Sequence, residues 1–202
     1  MKLYYSPGAC ALHPQIALRE AGLSFDLVRV DLRSHKLADG GDFYAVNPKG
    51  YVPVLELDDG SRLTEGAVID QFVADKTPSA HLLPPAGTIE RIRVQEWLHF
   101  IGTEVHKQFT PLFNPQAAED VKGAQREKIG KRFDYLQKEL GTKTFLTGDT
   151  FTVADAYLYN MLRWTAHTGI DLPKWPQLKA FSDRVEARPS VKAALEAERP
   201  TH

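Results

Sequence analysis

Residues 47–66 read Asn47-Pro48-Lys49-Gly50-Tyr51-Val52-Pro53-Val54-Leu55-Glu56-Leu57-Asp58-Asp59-Gly60-Ser61-Arg62-Leu63-Thr64-Glu65-Gly66. Two short strand-like runs, 52–57 and 61–63, flank Asp58-Asp59-Gly60, and an Asp-Gly turn between such runs predicts a β-hairpin. Val52-Pro53 opens it. A proline at a strand start is compatible with a cis bond that turns the preceding backbone groups away from the sheet, the alternative being a trans proline on an edge strand. In the first case an extended tripeptide pairs with the Val52 backbone as an added strand. Thr64-Glu65-Gly66 leads into a helix predicted over 66–76. The triplet reads either as an ordinary cap or as a holder for the zwitterionic end of an amino acid, with N–H groups near Gly66 on the carboxylate and Glu65 on the ammonium.

Outward toward the N-terminus, residues 2–6 read as a strand that Pro7-Gly8 ends, and 11–21 as a helix with Leu12, Ile16 and Leu18 about a turn apart and Gly22 at its C-terminal end. Phe25, Leu27, Val28 and Val30 make a second strand. This alternation predicts an α/β layer domain over 1–80. Residues 33–50 read as partly irregular, with a weak helical pattern over 42–46. Cys10 falls between the first strand and the first helix, where unpaired N–H groups and the helix dipole favour an anion. It reads as a reactive thiolate or as an inert buried thiol. Because His13 stands where a resolving cysteine would complete a Cys-x-x-Cys pair, any redox cycle at Cys10 runs through a mixed disulfide with an external thiol such as glutathione.

Outward toward the C-terminus, Thr77-Pro78-Ser79 and Pro84-Pro85-Ala86-Gly87 break the pattern, and the chain beyond them reads as an all-helical domain over 87–202. Val94, Trp97, Leu98, Ile101 and Val105 form one apolar stripe, and Phe133, Leu136 and Leu140 another. His99, Thr103 and His106 share a different face of the first of these helices, either lining a cleft or facing solvent. Two histidines seven residues apart do not make a metal site, so no metal is expected. Thr152-Val153-Ala154-Asp155 has the spacing of a capping box that fixes the start of a core helix. Prolines 111 and 115 predict a loop over 109–115, and periodicity makes Trp164 a core residue.

The 202 residues carry 25 basic and 26 acidic side chains, a net charge of −1, which offers no general attraction to nucleic acid or to an anionic membrane. No stretch is long and apolar enough for a membrane span, and no signal-peptide pattern follows the start. One cysteine permits no intrachain disulfide, and a reducing cytoplasm fits best.

Taken in order, Lys2-Leu3-Tyr4-Tyr5-Ser6-Pro7-Gly8-Ala9-Cys10, residues 47–55, Leu63-Thr64-Glu65-Gly66, Glu104-Val105-His106-Lys107 and Phe151-Thr152-Val153-Ala154-Asp155-Ala156-Tyr157-Leu158 resemble the bacterial beta class of glutathione transferases. The resemblance implies a thioredoxin-like domain followed by a helical domain, a homodimer, and glutathione as co-substrate with the electrophile between the domains. It implies that Cys10 and His106 lie beside the glutathione sulfur and are catalytic. By the same resemblance Val52 bonds the cysteinyl part, Glu65 and Gly66 hold the γ-glutamyl end, His99, Thr103, Glu104, Val105 and His106 line the site, and Glu104 acts across the dimer interface. Trp164, His167 and residues 109–113 are candidates for the electrophile wall.

Three positions depart from the pattern. His35 stands where the family usually has a lysine near the glycyl carboxylate, with Lys36 following it; charge there is pH-dependent or displaced by one residue, and weaker glutathione affinity is expected. Ala11 replaces a common serine. Tyr5 occupies the region where other classes keep a catalytic tyrosine and reads as structural. Three activities follow as expectations: a transferase with conjugating, peroxide-reducing or dehalogenating chemistry, a thiol-disulfide oxidoreductase working through Cys10, and a non-catalytic binder of apolar ligands.

Overall fold

The computed structural model describes residues 1–199. They fall into two compact units, one made of Met1–Leu82 together with residues 188–199, the other of Leu83–Ala187.

In the first unit β1 (Lys2–Tyr5), α1 (Leu12–Glu20) and β2 (Asp26–Asp31) are followed by a two-residue β3 (Lys36–Leu37), then β4 (Val54–Glu56), β5 (Arg62–Leu63) and α2 (Gly66–Lys76). The sheet order is β3-β2-β1-β4-β5. β1 runs parallel to β2, as a strand–helix–strand crossover requires, and antiparallel to β4, which the expected hairpin joins to β5. Leu57 N–H bonds the Ser61 carbonyl across that turn, and Gly60 supplies its positive φ of 83°. Tyr4, Tyr5, Val30, Phe43, Val52 and Val54 bury a common core, with Leu37 and Val46 packed against it. α1 packs on α2, with Leu12, Ile16, Ile69 and Val73 all buried.

In the second unit α3 (Ile89–Phe100) passes into a π turn (Ile101–Val105) and a 3-10 turn (His106–Phe109), followed by the short α4 (Thr110–Phe113), then α5 (Glu119–Leu140), α6 (Val153–Arg163) and α7 (Pro176–Glu186). α6 is the hub: Val153 to Leu162 is buried throughout, with α3 and α7 packed on it. The expected capping box starts it. Asp155 accepts from the Thr152 N–H and hydroxyl, each at 2.8 Å, and its other oxygen accepts the Leu146 N–H at 2.8 Å, so one carboxylate also ties down the preceding loop. Burial pushes that carboxyl up to about 6 against the pull of these donors.

Two differences from the sequence reading have physical reasons. Residues 110–113 are helical rather than loop, because Pro111 lies in the first turn, where its missing N–H costs nothing. The last helix, α8 (Pro189–Ala197), belongs by its contacts to the first unit and not to the helical span expected over 87–202, the last three residues of which lie outside the described residues. α8 packs on α1: Arg188 clamps Glu20 with bonds of 2.6 and 2.8 Å, Ser190 adds a third, and the Gly8 N–H reaches Glu198 at 2.9 Å. Helical periodicity reports which face of α8 is apolar, not which partner it meets.

Candidate active site

In the first unit the residues singled out from the sequence gather where α1, β4 and α2 begin. Cys10 lies in the turn that leads into α1, whose cap position, Ala11, makes no side-chain cap bond. The Cys10 thiol donates to the Val52 carbonyl at 3.2 Å, a bond only the protonated sulfur can make. Val52-Pro53 is cis, and the Val52 N–H meets no acceptor among the described residues. A carbonyl has two lone pairs, so Val52 can receive an incoming peptide N–H beside Cys10 and donate its own N–H in return.

Glu65 caps α2 without using its side chain, at φ 65° and ψ 104°. That left-handed conformation is unfavourable for a residue with a Cβ, costs on the order of 1–3 kcal/mol, and is characteristic of ligand clamps. It leaves the first N–H groups of α2 clear and the carboxylate exposed, where Lys49 Nζ meets it at 2.7 Å and bonds Thr64 Oγ1 at 3.2 Å. Nothing in the local sequence signals Lys49 as a partner; it arrives through the turn that precedes the hairpin. Both members of the pair are about half or more exposed, so an ammonium ligand displaces Lys49 at little cost.

His35 stacks on Tyr44 with ring centroids 4.5 Å apart. Gly50 makes room for this: at φ 70°, a Cβ there would lie 2.7 Å from the Tyr44 ring and 3.2 Å from His35. Lys36 sits exposed in β3. Tyr5 is buried in β1, and burial raises its hydroxyl above the usual range, which agrees with a structural role.

In the second unit the expected common face of His99, Thr103 and His106 is interrupted. His106 N–H reaches back five residues to the Ile101 carbonyl, closing a π turn that delays the helical rotation. His99 and Thr103 remain exposed, joined by a 3.0 Å bond from Thr103 Oγ1 to the His99 carbonyl. His106 turns onto aromatic neighbours instead. Its Nδ1 is 2.6 Å from the Tyr157 hydroxyl, and it meets Trp164 edge-on at 5.0 Å. Trp164 is buried, as expected, and touches Phe109 and Phe113 as well, so the His106 ring stands at the edge of an aromatic cluster. Glu104, expected to act across an interface, is bound within its own unit by Arg132 at 2.7 and 3.0 Å. Val105 is buried and His167 exposed. Among the described residues no group of three or more His, Cys, Asp or Glu is placed to hold a metal ion.

Set beside known proteins, residues 8–76 match the family model of the glutathione S-transferase N-terminal domain, and residues 100–189 that of its C-terminal domain. The glutathione S-transferase GstA of Escherichia coli O157:H7 is 46% identical over 198 residues, covering 98% of each chain. Two solved structures are similar over 98% of each chain with TM-scores of 0.95. One is a sphingomonad glutathione S-transferase complexed with glutathione, at 46% identity, and the other a bacterial beta class glutathione S-transferase from Sphingomonas chungbukensis, at 49%.

Proposed function

The chain belongs to the glutathione S-transferase family, its beta class, and on that premise we propose a division of labour in which the first unit holds glutathione and the second supplies the surroundings of the electrophile. The enzyme is a glutathione transferase, with glutathione as co-substrate. In the proposed arrangement the cysteinyl part of glutathione pairs with the Val52 backbone, the γ-glutamyl end takes Glu65 and the free N–H groups at Gly66, and the glycyl carboxylate lies toward His35 and Lys36. His106 donates a hydrogen bond to the reacting sulfur, and Trp164 with Phe109 and Phe113 backs the apolar wall. His99, Thr103, Glu104 and Val105 complete the lining as the family pattern has them. A homodimer in the cytoplasm belongs to the same proposal; the exposed Tyr51, Val68, Ile89 and Ile92 supply apolar surface for an interface, and the single cysteine suits a reducing compartment.

The observation that carries this reading is the Cys10–Val52 bond at the head of α1, which puts the one thiol beside the open Val52 N–H. The chemistry needs the glutathione thiolate, and a helix N-terminus with a nearby donor lowers the cost of forming it. Cys10 also permits thiol transfer. Its thiolate attacks oxidised glutathione, the Cys10–glutathione disulfide forms as the original S–S bond breaks, and one glutathione leaves as thiolate.

Intact mass under non-reducing conditions after incubation with oxidised glutathione, paired with conjugation of a generic aromatic electrophile, separates the two roles. Cys10→Ala should lose the adduct while conjugation stays within about tenfold of wild type, because the thiolate attacking the electrophile belongs to glutathione. Loss of conjugation by more than about a thousandfold would instead make Cys10 indispensable to that reaction.

A further inference from the structure

Three residues beyond Cys10, in the first turn of α1, His13 is buried at 1% exposure, and its Nδ1 lies 2.7 Å from Oδ2 of Asp70, which is wholly buried in α2. The other edge of the imidazole faces the start of α2. A Cβ on residue 66 would lie 2.5 Å from His13 Cε1 and 2.6 Å from Nε2, so the ring fills the space that any side chain at 66 would need. Asp70 Oδ1 is buried and accepts no hydrogen bond, and burial raises the carboxyl above its usual range.

Such a pair is a poor source of stability. Burying two ionisable groups costs more than packing apolar residues of the same volume, and an orphaned oxygen adds to the cost. What the pair supplies is orientation: Asp70 fixes the imidazole plane, the imidazole edge fixes how closely α2 approaches α1 at Gly66, and Glu65 is held next to it in its strained left-handed conformation.

We propose that His13 and Asp70 are positioning residues for the amino-acid end of glutathione, setting the Glu65–Gly66 turn through direct contact with Gly66. This rests on the reading that the γ-glutamyl end binds at that turn. The pair then governs affinity for that end and not the chemistry at sulfur, and glycine is required at 66 because His13 occupies the adjoining space.

Calorimetric titration of folded variants with glutathione and with cysteinylglycine, which lacks the γ-glutamyl group, tests it, with thermal unfolding followed in parallel. His13→Ala should bind glutathione about tenfold more weakly and cysteinylglycine as wild type does, whereas Asp70→Asn, which keeps an oxygen for Nδ1–H, should stay within about twofold of wild type. Gly66→Ala should weaken glutathione binding about tenfold alone but less than about twofold in the His13→Ala background, because the clash has gone. Equal losses on both ligands, additive effects of the two substitutions, or no loss in His13→Ala would overturn the inference, and Asp70→Asn supports the comparison even where His13→Ala folds poorly. Wild-type protein that does not bind glutathione would overturn the functional reading instead.

Discussion

Glu65 and Asp155 show how single residues here are held in unfavourable states for opposite reasons. At Glu65 the strain is in the backbone, with φ at 65°. Glu65→Gly removes it and Glu65→Ala does not, so the glycine variant should be the more stable of the two by about 1 kcal/mol in chemical denaturation, while both lose glutathione affinity alike. Equal stabilities would mean that the turn carries no strain. At Asp155 the cost is desolvation of the carboxylate, which raises the group to about 6. A raised folded value means that the folded protein binds the proton more tightly than the unfolded chain does. The stabilisation is therefore complete below the unfolded value near 4 and is lost as pH rises through 6, amounting to about 3 kcal/mol over that window. Asp155→Asn cannot titrate, so the stability of wild type relative to this variant should fall between pH 4 and pH 7.5; a constant difference would show that the three donors hold the carboxylate ionised throughout.

Elements differ in how far their sequences announced them. Gly66–Lys76 folds as the helix expected, and the Asp58-Asp59-Gly60 hairpin forms where its turn residues place it. Both rest on local chemistry, a turn residue and a periodic apolar face. β3 is two residues long and pairs with β2, a pairing that no local pattern announces. The π turn over Ile101–Val105 escapes for a related reason: apolar spacing that serves an α-helix serves it as well, and the extra residue in the turn leaves no mark in the local pattern. Its consequence is chemical, since it separates His106 from the His99–Thr103 face and delivers it to Tyr157. Tyr157→Phe removes the partner of Nδ1 and should lower kcat for conjugation by about tenfold with little change in the KM for glutathione. An unchanged kcat would make the Tyr157 bond a packing detail. Of the candidate site, Cys10, Val52, Glu65 and Gly66 could be named as candidates because each stands at or within two residues of the start of an element. Lys49 beside Glu65 and the His13–Asp70 pair were not, because contacts across 16 and 57 residues belong to tertiary structure.

Across the whole chain, the order of elements is not the order of packing: α8 returns to α1, and Arg188 with Ser190 holds Glu20. Burial pushes the Glu20 carboxyl up, but the bonds and charge of Arg188, with Ser190, outweigh it and hold the group below its usual range. A depressed folded value gives the opposite sign from Asp155. The stabilisation is present above the unfolded value and lost as pH falls through the folded one. Arg188→Ala should therefore destabilise the protein at neutral pH by about 2–4 kcal/mol, with the deficit shrinking in acid as Glu20 takes up its proton. A deficit independent of pH would assign the loss to packing alone. No helix among the described residues is long and apolar enough to cross a membrane, and a net charge of −1 leaves specificity to the local sites.

If the first unit is a glutathione site serving a transfer reaction, the initial rate of conjugation to a generic aromatic electrophile, followed against glutathione concentration for wild type and Glu65→Ala, reads it out. Wild type should saturate with glutathione, and Glu65→Ala should raise the KM by at least about tenfold with kcat little changed. A rate that rises linearly with glutathione in wild type, or that matches the uncatalysed reaction, would contradict it.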